Sequence, residues 1–194
     1  MHAQHLTNVD PDEAIRVALK AVQGSPNELQ QALETIPAPI YLTDADGWVT
    51  FFNSACINFA GRTPVAGEDR WCVTWRLMTE QGRHLPHDEC PMAVAIKEKR
   101  ELRGIVAIAE RPDGTSVLFT PHPKLIYSED GTFAGAVNLL IDITEERQAA
   151  ALLDQAQRCR RLAAGVMDER ATRALNEMAV EYEAKARALK ALFR

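Results

Sequence analysis

Hydrophobic positions change their spacing several times along the chain, and each change marks a boundary between predicted elements. Between residues 10 and 24, Ile15, Val17, Ala18, Leu19 and Val22 recur at helical spacing behind Asp10-Pro11-Asp12-Glu13. That opening supplies an N-cap, a proline at the first helical position and acidic groups at the positive helix end. Gly24 ends this helix. Ser25-Pro26-Asn27-Glu28 starts a second, with Ser25 and Glu28 at capping-box spacing ahead of Leu29, Ala32, Leu33 and Ile36. Pro37 and Pro39 stop it.

Beyond Pro39 the pattern becomes short apolar runs separated by turns ending in glycine. Asp44-Ala45-Asp46-Gly47 joins residues 40–43 to 48–52; Arg111-Pro112-Asp113-Gly114 joins 102–110 to 115–123; Ser128-Glu129-Asp130-Gly131 leads into 132–143. Aspartate tolerates turn conformations and glycine accepts the positive φ of tight hairpins. Three hairpins predict five strands, two early and three late, in an antiparallel sheet. The roughly fifty residues between the two groups are different. Asn53 is placed to cap a short helix containing Ala55, Cys56, Phe59 and Ala60 and ending at Gly61. Residues 67–82 are mixed, with Trp71, Trp75, Leu77 and Met78 at roughly helical separations. Asp88 is placed to cap a clearer helix through Met92, Ala93, Val94 and Ile96, with Pro91 tolerated in its first turn. The expected class is α+β.

From Glu145 onward glycine and proline nearly vanish. Leu152, Ala156, Cys159, Ala163 and Val166 recur at alternating four- and three-residue steps, as do Ala171, Leu175, Met178, Tyr182, Lys185 or Ala186, and Leu189. These are apolar seams of coiled-coil or helical-hairpin type. Gly165 and Asp168 lie between them as terminator and new N-cap. An antiparallel hairpin is expected, with one continuous helix as the alternative. The chain thus reads as an N-terminal helical segment (1–25), a central domain (26–146) and a C-terminal extension (147–194, hairpin or coiled coil). Leu152, Leu175, Met178 and Tyr182 are its candidate dimer or partner contacts.

Composition narrows the function classes. With 46% hydrophobic and 25% charged residues the 194-residue chain is globular rather than disordered. A net charge of −5 disfavours nucleic acid and anionic membrane as partners. No apolar run approaches the roughly 18 residues of a membrane span. Residues 1–10 are polar, without the apolar centre of a signal peptide. Cys56, Cys72, Cys90 and Cys159 are scattered without a CxxC spacing, which fits reduced thiols in a cytoplasm.

These residues also carry a resemblance. Leu33-Glu34-Thr35-Ile36-Pro37-Ala38-Pro39-Ile40, then Asp44-Ala45-Asp46-Gly47 and Phe52-Asn53, resemble the entrance to a PAS domain. The strand Gly135-Ala136-Val137-Asn138-Leu139-Leu140-Ile141-Asp142-Ile143-Thr144 is similar to the family's exit, including its Asp-Ile-Thr signature. Leu85-Pro86-His87-Asp88-Glu89-Cys90-Pro91-Met92-Ala93 resembles a segment of PAS sensors of alphaproteobacteria, and the tail around residues 158–183 resembles a helical extension on small proteins of those bacteria. The resemblance spans residues 29–147. It implies a PAS fold: a five-stranded antiparallel sheet with short helices on one face, here with an added N-terminal helix and the C-terminal hairpin. It further implies a sensory cleft or a protein-pairing surface, a homodimer, and a protein partner in a bacterial signalling pathway. Signals would leave through Asp142 and Thr144, residues that equally suit a plain cap for the helix beginning near Glu145. The reactive-cysteine motif of flavin photosensors does not surround Cys56, Cys72 or Cys90, and no kinase, cyclase or phosphodiesterase motif occurs.

Candidate chemistry is sparse. Phe59, Trp71, Trp75, Met78 and Met92 lie in segments that would wall the cleft, as pocket lining or as ordinary core. His84, His87 and Cys90 have ligand-like spacing for zinc or, singly, for haem iron. Only Cys72, on another segment, offers a fourth zinc ligand, so no metal site is assigned. The cofactor is left unknown, with haem or another small ligand as the alternative to none. Asp44 with Asp46, and Glu145 with Glu146, have turn and helix-start reasons for their charge, so no catalytic residue is assigned. The expectation is a non-enzymatic cytoplasmic signalling protein whose PAS module mediates dimerisation and signal-dependent protein interaction. Its alternative is a sensor whose cleft ligand repositions the C-terminal helices.

Overall fold

In the computed structural model, which describes residues 9–191, both N-terminal helices start where their caps predict. The polar start at 1–8 and the final residues 192–194 lie outside the described residues. The Asp10 carboxylate accepts from Asp12 N at 3.0 Å ahead of α1 (Pro11–Ala21). Ahead of α2 (Pro26–Glu34) both halves of the capping box form: Ser25 Oγ accepts from Glu28 N, and the Glu28 carboxylate accepts from Ser25 N at 2.8 Å.

Seven strands follow, not the five expected: β1 (Ile40–Asp44), β2 (Val49–Phe52), β3 (Arg76–Thr79), β4 (His84–Leu85), β5 (Ala107–Glu110), β6 (Ser116–Tyr127) and β7 (Phe133–Asp142). They form one antiparallel sheet in the order β2-β1-β7-β6-β5-β3-β4. The five expected strands are its contiguous part, and β3 with β4 extends it past β5. Residues 67–82 are mixed in pattern, with Trp71, Trp75, Leu77 and Met78 at roughly helical separations. Pairing decided otherwise, since the free edge of β5 takes Leu77 opposite Ala109 and Met78 opposite Ile108. Leu77 is buried while Arg76 faces solvent, the period of a strand. Gly82, at φ +76, closes the turn back to β4.

Two further caps differ from expectation. Asn53 does not cap α3 (Ala55–Ala60); Ser54 holds that position. The Asn53 side chain instead donates to the carbonyls of Leu33, Ile36 and Ala38 at 2.9–3.2 Å and accepts from Ile40 N at 3.1 Å. It thereby ties the end of α2 to the start of β1 through a fully buried amide. Asp88 lies in a 3-10 turn, His87–Glu89, and the cap of α4 (Pro91–Glu98) is Cys90, whose sulfur accepts from Ala93 N at 3.5 Å.

Strand parity sorts the core into two layers. Tyr41, Val49, Val117, Phe119, Ala136 and Leu140 face α3, α4 and residues 71–73. Ile40, Leu42, Val137 and Leu139 face Ala14, Ile15, Ala18 and Leu33 of α1 and α2. Helices therefore cover both faces of the sheet rather than one, which is why β1 is buried at four successive positions. Pro121 and Pro123 are tolerated in β6 because β5 pairs only with residues 116–119, leaving the prolines beyond its end. Gly135 is required where β7 meets β1: at φ +146, a Cβ there would stand 2.0 Å from the Thr43 carbonyl oxygen.

Among the described residues, those from 9 to 142 form one compact unit and those from Ile143 another. In the second, α5 (Thr144–Gly165) and α6 (Glu169–Ala191) form the expected hairpin instead of one continuous helix. Asp168 accepts from Ala171 N at 2.8 Å at the start of α6, and Arg160 pairs with Glu183 at 2.8 Å across the hairpin. Ala156, Cys159 and Ala179 are the buried cluster of the seam, with Tyr182 packed against it. The position expected for Met178 is taken by Ala179, and Met178 is exposed. Close helix approach favours the smaller side chain inward.

Candidate functional site

The cleft between the sheet and α3, α4 is filled chiefly by its own side chains. Phe59, on α3, meets Phe119 edge-on with ring centroids 5.2 Å apart, and Met92, on α4, is fully buried in the same cluster. Trp71 is core too, but with an unusual backbone: its φ is +69, in the left-handed region. For a bulky residue this conformation costs about 1–3 kcal/mol. Local bonds hold it. Trp71 N donates to the Gly47 carbonyl at 2.7 Å, and the Trp71 carbonyl accepts from the Tyr41 hydroxyl at 3.0 Å. The indole lies on Gly47, where a Cβ would come within 2.1 Å of the ring, and the Arg70 guanidinium stacks 4.6 Å from its centroid.

Beneath Trp71 is a buried polar cluster. The Tyr41 hydroxyl accepts from Asn138 Nδ2 at 3.0 Å, and burial raises its pKa well above the ordinary tyrosine range. Cys72 Sγ lies 3.2 Å from Thr74 Oγ1, which lies 3.3 Å from His87 Nε2. The Cys90 thiol reaches the Trp71 carbonyl at 3.8 Å. The Cys90 side chain, first, draws the Cys72 thiol below its ordinary range; burial opposes it, and His87 and Thr74 assist. Cys72, first, and then burial push the Cys90 thiol upward. Cys56 is apart from this pair, and burial raises its thiol as well. Thr43 Oγ1 and Asn138 Oδ1, on neighbouring strands of the same face, are buried without a hydrogen-bond partner.

The sequence candidates scatter across these surroundings. Phe59, Trp71 and Met92 line the core; Met78 is half-buried on β3; Trp75 is 53% exposed. His84 is exposed on β4, while His87 is part-buried against Thr74. Among the described residues no three histidine, cysteine or acidic side chains converge on a point that a metal ion would occupy. Asp142 ends β7 and Thr144 opens α5, so both stand at the junction of strand and helix. Leu152, Leu175 and Tyr182 are half-buried in the hairpin unit. Two surface depressions are present, one of about 270 Å³ beside Asp12, Arg16, Glu101, Arg103 and His122, another of about 290 Å³ beside Leu85, Val94 and Ile105. Tyr41, Thr74 and Asn138 escaped the sequence reading, because nothing in their local spacing distinguishes them from ordinary strand residues.

Residues 27–94 match the family model PAS_8, described as a PAS domain. The fold is α+β and PAS-like, with an antiparallel sheet of seven strands rather than five. Similar solved structures include the PAS domain of an HTR-like protein from Haloarcula marismortui, at 18% identity over 64% of this chain and 96% of that one (TM-score 0.41). Another is the Rhodobacter sphaeroides LOV protein, at 13% identity over 92% and 97% (TM-score 0.47). A third is a PAS domain from Colwellia psychrerythraea, at 17% over 59% and 93% (TM-score 0.40). Comparison with curated proteins finds no match. Among the described residues, no helix is long and apolar enough to cross a membrane.

Proposed function

We propose that this chain is a non-enzymatic, cytoplasmic signalling protein whose PAS module and C-terminal helices mediate dimerisation and signal-dependent binding of a protein partner. The observation that carries this reading is the distribution of side chains on the hairpin. Its own seam is made of small residues, whereas Leu162, Met167, Met178 and Val180 expose their large apolar side chains, Met167 completely. Surfaces of that kind are stabilised by covering them. Sedimentation equilibrium of the chain and of a Leu162→Glu/Met178→Glu variant tests it. A dimer that becomes a monomer with unchanged helicity supports the reading. A wild-type chain that stays monomeric across the concentration range removes dimerisation from it.

A second reading, a small molecule in the cleft that repositions α5 and α6, is favoured by the orphaned acceptors Thr43 Oγ1 and Asn138 Oδ1. Buried polar atoms on one face are places where a ligand gains directional bonds. Native mass spectrometry with an absorbance spectrum distinguishes the two readings, since an occupied cleft adds non-protein mass and haem adds colour.

A further inference from the structure

We propose that the depression between α1 and β6 is a binding site for a small organic carboxylate with a short apolar chain. The gap has its cause in the sheet. β5 pairs only with residues 116–119 of β6, and Pro121 and Pro123 beyond them have no N–H to offer a continuing strand. Residues 101–103 therefore pass beside His122, Pro123 and Lys124 without strand pairing, and a depression of about 270 Å³ is left between them, β6 and α1. It opens on the second face of the sheet. His122 shares strand parity with Ile126, which packs against the α1 and α2 layer, whereas Val117 and Phe119 of the opposite parity belong to the cleft layer. The site is thus separate from the buried acceptors of Thr43 and Asn138.

Part of its lining is apolar. Ile15, Leu102 and Pro123 are buried, and half-buried Leu19 completes that surface. Cations from three segments stand around it: Arg16 of α1, Arg103 of the unpaired stretch and Lys124 of β6. The acids of the same lining are Asp12 and Glu101, so cations are in excess. Glu101 shows what these cations accept, since its carboxylate pairs with both Lys124 and Arg103. The Arg103 side chain is 79% exposed and that of Arg16, paired with Glu13, is 75% exposed; ion pairs at such exposure contribute little. Either guanidinium is therefore able to turn to an incoming carboxylate, which its planar fork matches with two parallel hydrogen bonds. His122 supplies a polar wall: its Nε2 lies 3.2 Å from Thr120 Oγ1, and among the described residues no hydrogen bond engages Nδ1. Apolar surface with a few convergent polar groups is the makeup of a small-molecule site, and here the charge selects an anion.

The histidine also reports occupancy. Burial, first, holds the His122 imidazole below its ordinary pKa; Asp12 opposes that shift and Arg103 adds to it. Arg16, Glu101 and Lys124 are the other charges of the lining, and β7 places the uncharged Leu139 opposite His122. A bound carboxylate favours the imidazolium, so binding raises the His122 pKa. By linkage, affinity then falls as pH rises through that value.

Hexanoate is titrated into the isotope-labelled full-length protein and followed by amide and histidine-ring NMR, with acetate, inorganic phosphate and hexylamine as comparators. The expected result is a saturable shift confined to residues 12–19, 101–103 and 122–124, with a raised His122 pKa. Hexanoate is expected to bind more tightly than acetate or phosphate, and hexylamine not at all. Arg16→Glu/Arg103→Glu, at two exposed positions, is expected to keep the fold and weaken hexanoate binding by about tenfold or more. His122→Gln is expected to flatten the pH dependence of binding. The proposal is overturned if no shift saturates, if acetate, phosphate or hexylamine binds as tightly as hexanoate, or if the double variant binds unchanged. Shifts centred on Phe59, Trp71 and Met92 would overturn it too, by placing the ligand in the cleft. None of these outcomes depends on whether the chain dimerises.

Discussion

The two compact units bury different kinds of side chain. The sheet-containing unit closes its cleft with Phe59, Trp71, Met92 and Phe119, and closes the opposite face with Ile15, Leu33, Ile40 and Leu139. The hairpin buries Ala149, Ala156, Cys159, Ala163, Ala179 and Ala186 and leaves several of its largest apolar residues outside. Buried apolar area is what stabilises a fold, at about 25 cal/mol per Å². The first unit thus carries its own stabilising area on both faces of the sheet, whereas the hairpin gains less from its internal seam and more from whatever covers its exterior. Rigidity belongs to the first, adaptability to the second.

The sharpest way to break this comparison is Phe119→Ala. The ring is buried against Phe59, and its loss is expected to cost the sheet-containing unit about 4 kcal/mol, read by urea unfolding of the near-ultraviolet signal. A loss under about 1 kcal/mol would mean that the core collapses readily and is not tightly packed. Asn53→Ala is expected to come next, at about 3 kcal/mol, because it strands three carbonyls and the Ile40 N–H in the interior. Its signature is early hydrogen exchange at the α2–β1 junction.

For the hairpin, Ala179→Leu is the matching test. Overfilling a seam built for small side chains is expected to cost about 2 kcal/mol and to show as lost helicity on mild heating. An unchanged melt would show that α5 and α6 have slack between them. The smallest effect concerns the exposed turn before β7. Ser128, first, and the Thr132 backbone hold the Asp130 carboxyl at a pKa of about 2. A depressed carboxylate contributes stability above its unfolded value, near 3.8, and loses it as pH falls through the folded value. Protection of the Thr132 amide should therefore decline only below about pH 4, and Asp130→Asn should remove that dependence. Loss of protection at higher pH would assign it to another group.

Legibility followed locality. Capping boxes, the Asp-Gly turns and the three-four spacing of the tail are relations within a few residues, and each produced the element expected. Asp44, Asp113 and Asp130 all accept from backbone amides two residues on, which is why one turn signal recurs at three hairpins. Failures came where a residue's role is set by a distant partner. Asn53 was assigned to the nearest helix, but its four bonds go back across the chain to residues 33–40. Met178 was placed in the seam on hydrophobicity, and the helix turned by one residue to bring Ala179 inward. Trp75, counted as cleft lining, faces solvent.

The sequence by itself determined where helices begin and end, where the chain reverses, and that an antiparallel α+β domain precedes a pair of helices, because caps, turns and periodicity are short-range physics. Only the tertiary structure decided that residues 76–85 join the sheet, that α1 and α2 cover its second face, and that the Asn53 amide ties α2 to β1. Each of those outcomes depends on a free strand edge, an uncovered apolar face or a buried amide brought to its partners by packing. Such relations exist between elements, and no window along the chain contains them.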